Sequence, residues 1–153
     1  AKRDTATVGA VVACLGVVAA AAGAGTDGMA GSPSDVLLVG GALGAASGVT
    51  VMSIAGLSQR VDPLDRAVSP VGAYFGLGLA GASVLGVVSL VLTDDPATAQ
   101  TLRFGSAAVA SAALLPAALQ LAANGRAWRS RPRAAAMPFV TPDRAGVVAA
   151  IRF

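Results

Sequence analysis

Histidine and glutamate are missing from this 153-residue chain, which also holds a single cysteine, one tryptophan and one tyrosine. Each absence removes a class of chemistry. Without histidine there is no imidazole to ligate haem. One cysteine can form neither an internal disulfide relay nor a thiolate metal cluster. Charge is scarce as well: Asp, Arg and Lys make up 12% of the residues, against about 25% in an ordinary soluble domain. What fills the space is apolar. Hydrophobic residues reach 55% and the mean hydropathy is +0.72, so the composition points to a membrane protein.

The charges that remain divide the chain. Between Asp4 and Asp27, Asp35 and Arg60, Arg66 and Asp94, and Arg103 and Arg126 lie uncharged runs of 22, 24, 27 and 22 residues. At a rise of about 1.5 Å per residue, some 20 helical residues cross a hydrocarbon core of about 30 Å. Barrel strands would alternate in polarity, and these runs do not. The expected fold is therefore an all-α membrane protein with four transmembrane helices, near 6–25, 36–58, 68–92 and 103–124. These form a domain over 1–125, followed by a basic, partly apolar tail over 126–153. Ser34-Asp35, Ser69-Pro70 and Asp94-Asp95-Pro96 supply cap, first-turn and stop signals at the ends. GAGTDGMAGSPSD (23–35) and SQRVDPLDR (58–66) serve as connecting loops. No repeat marks the halves as a duplicated transporter.

Basic residues set the orientation. Lys2, Arg3, Arg60, Arg66 and the arginines from Arg126 onward fall on one side, while the opposite loops carry only Arg103. This bias predicts antiparallel hairpins in the cell (plasma) membrane with both termini cytoplasmic. The first segment also resembles a secretory signal, with Ala22-Gly23-Ala24 as a cleavage motif, and Val11-Val12-Ala13-Cys14 resembles a lipoprotein box. Either cleavage would remove residues of the first span, and the whole span is expected to be kept. Cys14 reads as a small apolar helix residue.

Helices in lipid associate through close backbone approach rather than a hydrophobic gain, and small residues permit it. Gly40, Gly44 and Gly48 recur every four residues in GGALGAASG. Ser47, Thr50 and Ser53 add hydroxyls that bond either locally or across helices. The third span has two small stripes, Gly72/Gly76/Ala80 and Gly78/Ala82/Gly86, which imply two neighbours. These glycines are the expected helix-packing sites, within the bundle or against another protein. Pro116 cannot donate to the Ala112 carbonyl and should bend the fourth helix, with Ser111 positioned to satisfy freed groups.

Catalytic motifs are missing. The spans contain no ionisable group of the kind a proton-coupled pump needs, and a small multidrug exporter would require an intramembrane glutamate. No Walker loop, Rossmann fingerprint or nucleophile elbow occurs. Asp94 and Asp95 read as a solvated turn, and Asp62 and Asp65 as balance for Arg60 and Arg66. Neither catalysis, nor a cofactor bound by this chain, nor a metal site is expected. The pI near 10.0 comes from arginines beside apolar segments, which fits anionic lipid and not nucleic acid. Arg126, Trp128, Arg129, Arg131 and Arg133 form the expected lipid and interface belt, with phospholipid contacts. Residues 137–153 turn apolar again but are too short to span, so the membrane surface or a partner subunit should hold them.

The size, the four spans, the GGALGAASG-type helices and the polar tail resemble the small accessory subunits of actinobacterial respiratory supercomplexes, in which a cytochrome bc complex joins a cytochrome oxidase. The exclusive use of Asp and the dominance of Arg over Lys agree with a GC-rich genome. The resemblance implies a non-catalytic accessory or assembly subunit among other membrane subunits, with haem and copper held by neighbouring chains. Two other functions fit the same sequence: a self-associating passive channel or facilitator, and a lipid-binding membrane scaffold.

Overall fold

The computed structural model describes residues 2–28, 33–58, 68–129, 134–141 and 144–151. Four helices dominate it: α1 (Lys2–Gly25), α2 (Ser34–Ser58), α3 (Val71–Ser89) and α4 (Pro96–Arg129), with a short 3-10 turn at Leu90–Leu92 extending α3. All four are long and apolar enough to cross a membrane. Helix is the conformation that satisfies every backbone N–H and C=O within its own segment, as a hydrocarbon environment requires.

The ends follow local chemistry. Gly28 adopts a φ of +80° in the turn after α1, a left-handed conformation that costs glycine nothing. Pro70 occupies the N-cap of α3 without a side-chain cap. The largest departure from the sequence reading is at α4, which begins at Pro96, one turn and more before Arg103. Asp95 caps it: the Thr98 backbone N–H donates to Asp95 Oδ2 at 2.8 Å, and the Thr98 hydroxyl donates to the same oxygen. Asp95-Pro96 is thus a helix start, with proline at the first helical position where its missing N–H is harmless. Only Thr93, Asp94 and Asp95 separate the 3-10 turn from α4. Arg103 lies inside the helix and not in a loop.

The cap makes a pH prediction. Hydrogen bonds from Thr98 to the ionised carboxylate hold the Asp95 pKa below its ordinary value. A lowered native pKa stabilises the fold above the unfolded aspartate's pKa, and that contribution is lost as pH falls through the native one. Acid titration of helicity by circular dichroism should show this loss, and Asp95→Asn, which retains a capping oxygen, should flatten it.

α2 is the hub of the bundle, packing on α1, α3 and α4; α1 touches α4 only slightly, and α1 and α3 do not meet among the described residues. The packing is inverted relative to a soluble protein. The buried core is mostly alanine, including Ala13, Ala42, Ala110, Ala113 and Ala117, while Leu15, Phe75, Leu85 and Leu115 are each at least 63% exposed. Soluble monomers rarely leave large contiguous apolar surface in water. A bilayer removes that cost, and the interior then favours side chains small enough for close helix approach.

Beyond α4, β1 (Ala134–Thr141) and β2 (Arg144–Ile151) pair antiparallel, with Ala134 opposite Ile151 and Thr141 opposite Arg144. This ribbon lies in the tail, outside the four helices, which are the all-α part of the chain as expected. Val140, Thr141, Val147, Val148 and Ile151 are β-branched and favour extended backbone. Neither strand packs on a helix among the described residues.

Candidate functional site

Along the α1–α2 seam the two helix backbones approach closely. Gly9, Gly16 and Gly23 of α1 lie seven residues apart, as do Gly41 and Gly48 of α2, and all are buried. A Cβ on Gly16 would stand 2.7 Å from the Gly41 carbonyl oxygen and closer still to Ala45 N. One on Gly48 would stand 2.5 Å from the Gly9 carbonyl oxygen and closer still to Ala13 N. Backbone therefore meets backbone along the seam, with Ala13, Ala20 and Ala45 filling the intervening positions.

This placement revises the small-residue stripes read from the sequence. Gly48 is in the seam, and Gly44 is an ordinary neighbour, its would-be Cβ 3.4 Å from Gly16 Cα. Gly40 has nothing within 4 Å; its place on the seam belongs to Gly41. On α3, Gly72 faces Pro116 and Gln120 of α4, and Gly76 faces Ser53 of α2. The second stripe has no second neighbour: Gly78 is open, Ala82 is exposed, and Gly86 meets only Ser106 of α4.

Polar side chains tie the other interfaces. Gln120 Nε2 donates to Asn124 Oδ1 at 3.0 Å, and Asn124 Nδ2 donates to the Gly56 carbonyl at 2.9 Å, joining α4 to α2. Both residues are buried. Near the opposite end, the buried Ser83 hydroxyl donates to the Ser106 carbonyl at 2.8 Å, joining α3 to α4. Ser53 and Ser106 hydroxyls are buried without a hydrogen-bond partner. Ser47 and Thr50 bond locally, to the carbonyls of Leu43 and Ala46. Ser111 donates to Ala107, so it does not satisfy the Ala112 carbonyl freed by Pro116. The sequence carries no signal for Gln120 and Asn124: two amides one turn apart close to the basic tail look like a solvated helix end.

Where α1 ends and α2 and α4 begin, charges pair between helices. Arg103 Nη1 donates to Asp35 Oδ1 at 2.6 Å, with side-chain exposures of 33% and 57%, and Gln100 Nε2 donates to Asp27 Oδ2 at 3.3 Å. A partly exposed pair like the first is worth at most about 1 kcal/mol. It also explains how a base is tolerated within the apolar helix. Beside it runs a cleft of about 560 Å³ lined by Asp35, Val36, Val39, Gly40, Leu43, Leu90, Thr93, Ala99 and Arg103.

Of the expected lipid and interface belt, Arg126 is exposed; the side chains of Trp128 and Arg129, together with Arg131 and Arg133, lie outside the described residues, as do Arg60, Asp62, Asp65 and Arg66. Cys14 is exposed on α1. Among the described residues no three His, Cys, Asp or Glu side chains gather as a metal site. No family model, curated protein or solved structure matches the chain.

Proposed function

We propose that this protein is a non-catalytic subunit that associates with or helps assemble a larger complex in the cell membrane, with both termini cytoplasmic. The observation that carries the reading is the imbalance of the bundle. Half of α2's most apolar window is buried inside the chain, against 17% of α3's. α3 offers an apolar outer surface around Tyr74, Phe75 and Leu85 beside the unmatched Gly78 and Ala82. Contact is the chemistry that such a surface supplies, and the described residues carry no constellation for another. The sequence resemblance narrows the partner class to a haem-bearing respiratory assembly, whose haem and copper would belong to other chains.

Purification through a tag on this chain in mild detergent tests the reading. Native electrophoresis, haem absorbance and mass spectrometry should reveal a large haem-containing assembly, and substitution of Gly78 by leucine should reduce its recovery. Isolation of the chain alone, at the mass of its own monomer or homo-oligomer, refutes the proposal.

A further inference from the structure

The cleft beside the Arg103–Asp35 pair has the shape and polarity of an amphiphile site. Asp35 pairs with Arg103 near the start of α2; Thr93 also lines the cleft, and the remainder is aliphatic, formed by Val36, Val39, Leu43, Leu90 and Ala99 around Gly40. Asp35 to Leu43 is eight helical steps along α2, a trough of about 12 Å. Its volume of about 560 Å³ falls within the usual range for a ligand pocket, roughly 300–1,000 Å³. Gly40 leaves the floor open, since a Cβ there would meet nothing within 4 Å. Val36 and Leu43 flank Gly40 one turn away on either side. A flexible chain can thread between them.

We infer that the cleft holds one acyl chain of a phospholipid whose headgroup is zwitterionic and ends in a primary ammonium, as in phosphatidylethanolamine. The charges at the rim are complementary to that headgroup. Arg103 uses Nη1 on Asp35, and guanidinium has five N–H donors in all, which leaves donors for a phosphate oxygen. Asp35 accepts from Arg103 through Oδ1, and its carboxylate can also receive the ammonium. A headgroup that adds only negative charge faces Asp35 with no compensating cation. The inference requires the chain to be in a bilayer, but it is independent of any protein partner.

Intact-complex mass spectrometry of the full chain in detergent, titrated with dioleoyl phosphatidylethanolamine or dioleoyl phosphatidylglycerol, tests this site. Wild type should retain the ethanolamine lipid about fivefold better, the ratio that a solvent-screened ion pair sustains. Asp35→Asn should abolish or reverse that preference, Gly40→Leu should eliminate retention of both lipids, and Gly125→Leu, a change at an open glycine near the far end of α4, should behave as wild type. Equal or better retention of phosphatidylglycerol by wild type, an unchanged preference in Asp35→Asn, unchanged retention in Gly40→Leu, or equal loss in Gly125→Leu each overturns the proposal. So does a protein partner cross-linked in native membranes through Gly40→Cys.

Discussion

Adding one methyl group to Gly16 or Gly48 should destabilise the bundle, whereas the same change at Gly40 or Gly78 should not. Alanine is the better helix former by about 1 kcal/mol, so propensity alone favours all four substitutions. At Gly16 the new Cβ runs into Gly41 O, Gly44 C and Ala45 N, and at Gly48 into Ala13 N, Ala13 Cα and Gly9 O; every one of these atoms is backbone. No rotamer change relieves such a clash, and α1 must move off α2. Overpacking of this kind costs about 1–3 kcal/mol, which outweighs the propensity gain. We expect Gly16→Ala and Gly48→Ala to lose roughly 2 kcal/mol and Gly16→Val to lose 3 kcal/mol or more by extension of the same cost. Gly40→Ala and Gly78→Ala should be neutral or slightly stabilised. Reversible unfolding in mixed detergent micelles measures all five variants, and equal stabilities for Gly16→Ala and Gly40→Ala would show that the seam is not as tight as described.

The buried amide pair should show a different signature. Asn124→Leu removes both the donor to the Gly56 carbonyl and the acceptor for Gln120. Gln120 then carries an unsatisfied buried amide, a loss of about 1–3 kcal/mol in general. Interhelical hydrogen bonds in membranes fall toward the lower end of such values, about 0.6 kcal/mol on average with a maximum near 1.7. A loss of about 1.5 kcal/mol is therefore expected for Asn124→Leu in the same unfolding assay. The double variant Gln120→Leu/Asn124→Leu should lose less than the sum of the single variants, because it leaves no orphaned amide. Strict additivity would mean that the two side chains do not act as a unit.

Much of the architecture was legible before the fold was known, and the errors have physical causes. Treating Arg103 as a loop residue followed from assuming that a charge ends a span. The charge is instead carried one turn and more into α4 because Asp35, on a helix distant in sequence, stands ready to pair with it. Asp95-Pro96 reads in the sequence as a stop for α3, whereas in the fold it starts α4. The glycine stripes failed in a related way. Steps of four residues rotate about 40° around a helix with 3.6 residues per turn, so Gly40, Gly44 and Gly48 fan out across its surface. Steps of seven drift by only about 20°, which keeps Gly41 and Gly48 on α1 while Gly40 turns outward. The matching Gly9, Gly16 and Gly23 repeat was present in the sequence and would have identified the seam.

The amino-acid sequence by itself determined that four segments are long and apolar enough to cross a membrane. Partition of a segment between water and hydrocarbon depends on its own length, apolar content and charge, and those are local quantities. Only the tertiary structure decided which glycines touch backbone, which carboxylate receives Arg103, and where an open trough remains. Each of those depends on the rotation of one helix against another, and that rotation is set jointly by residues many positions apart.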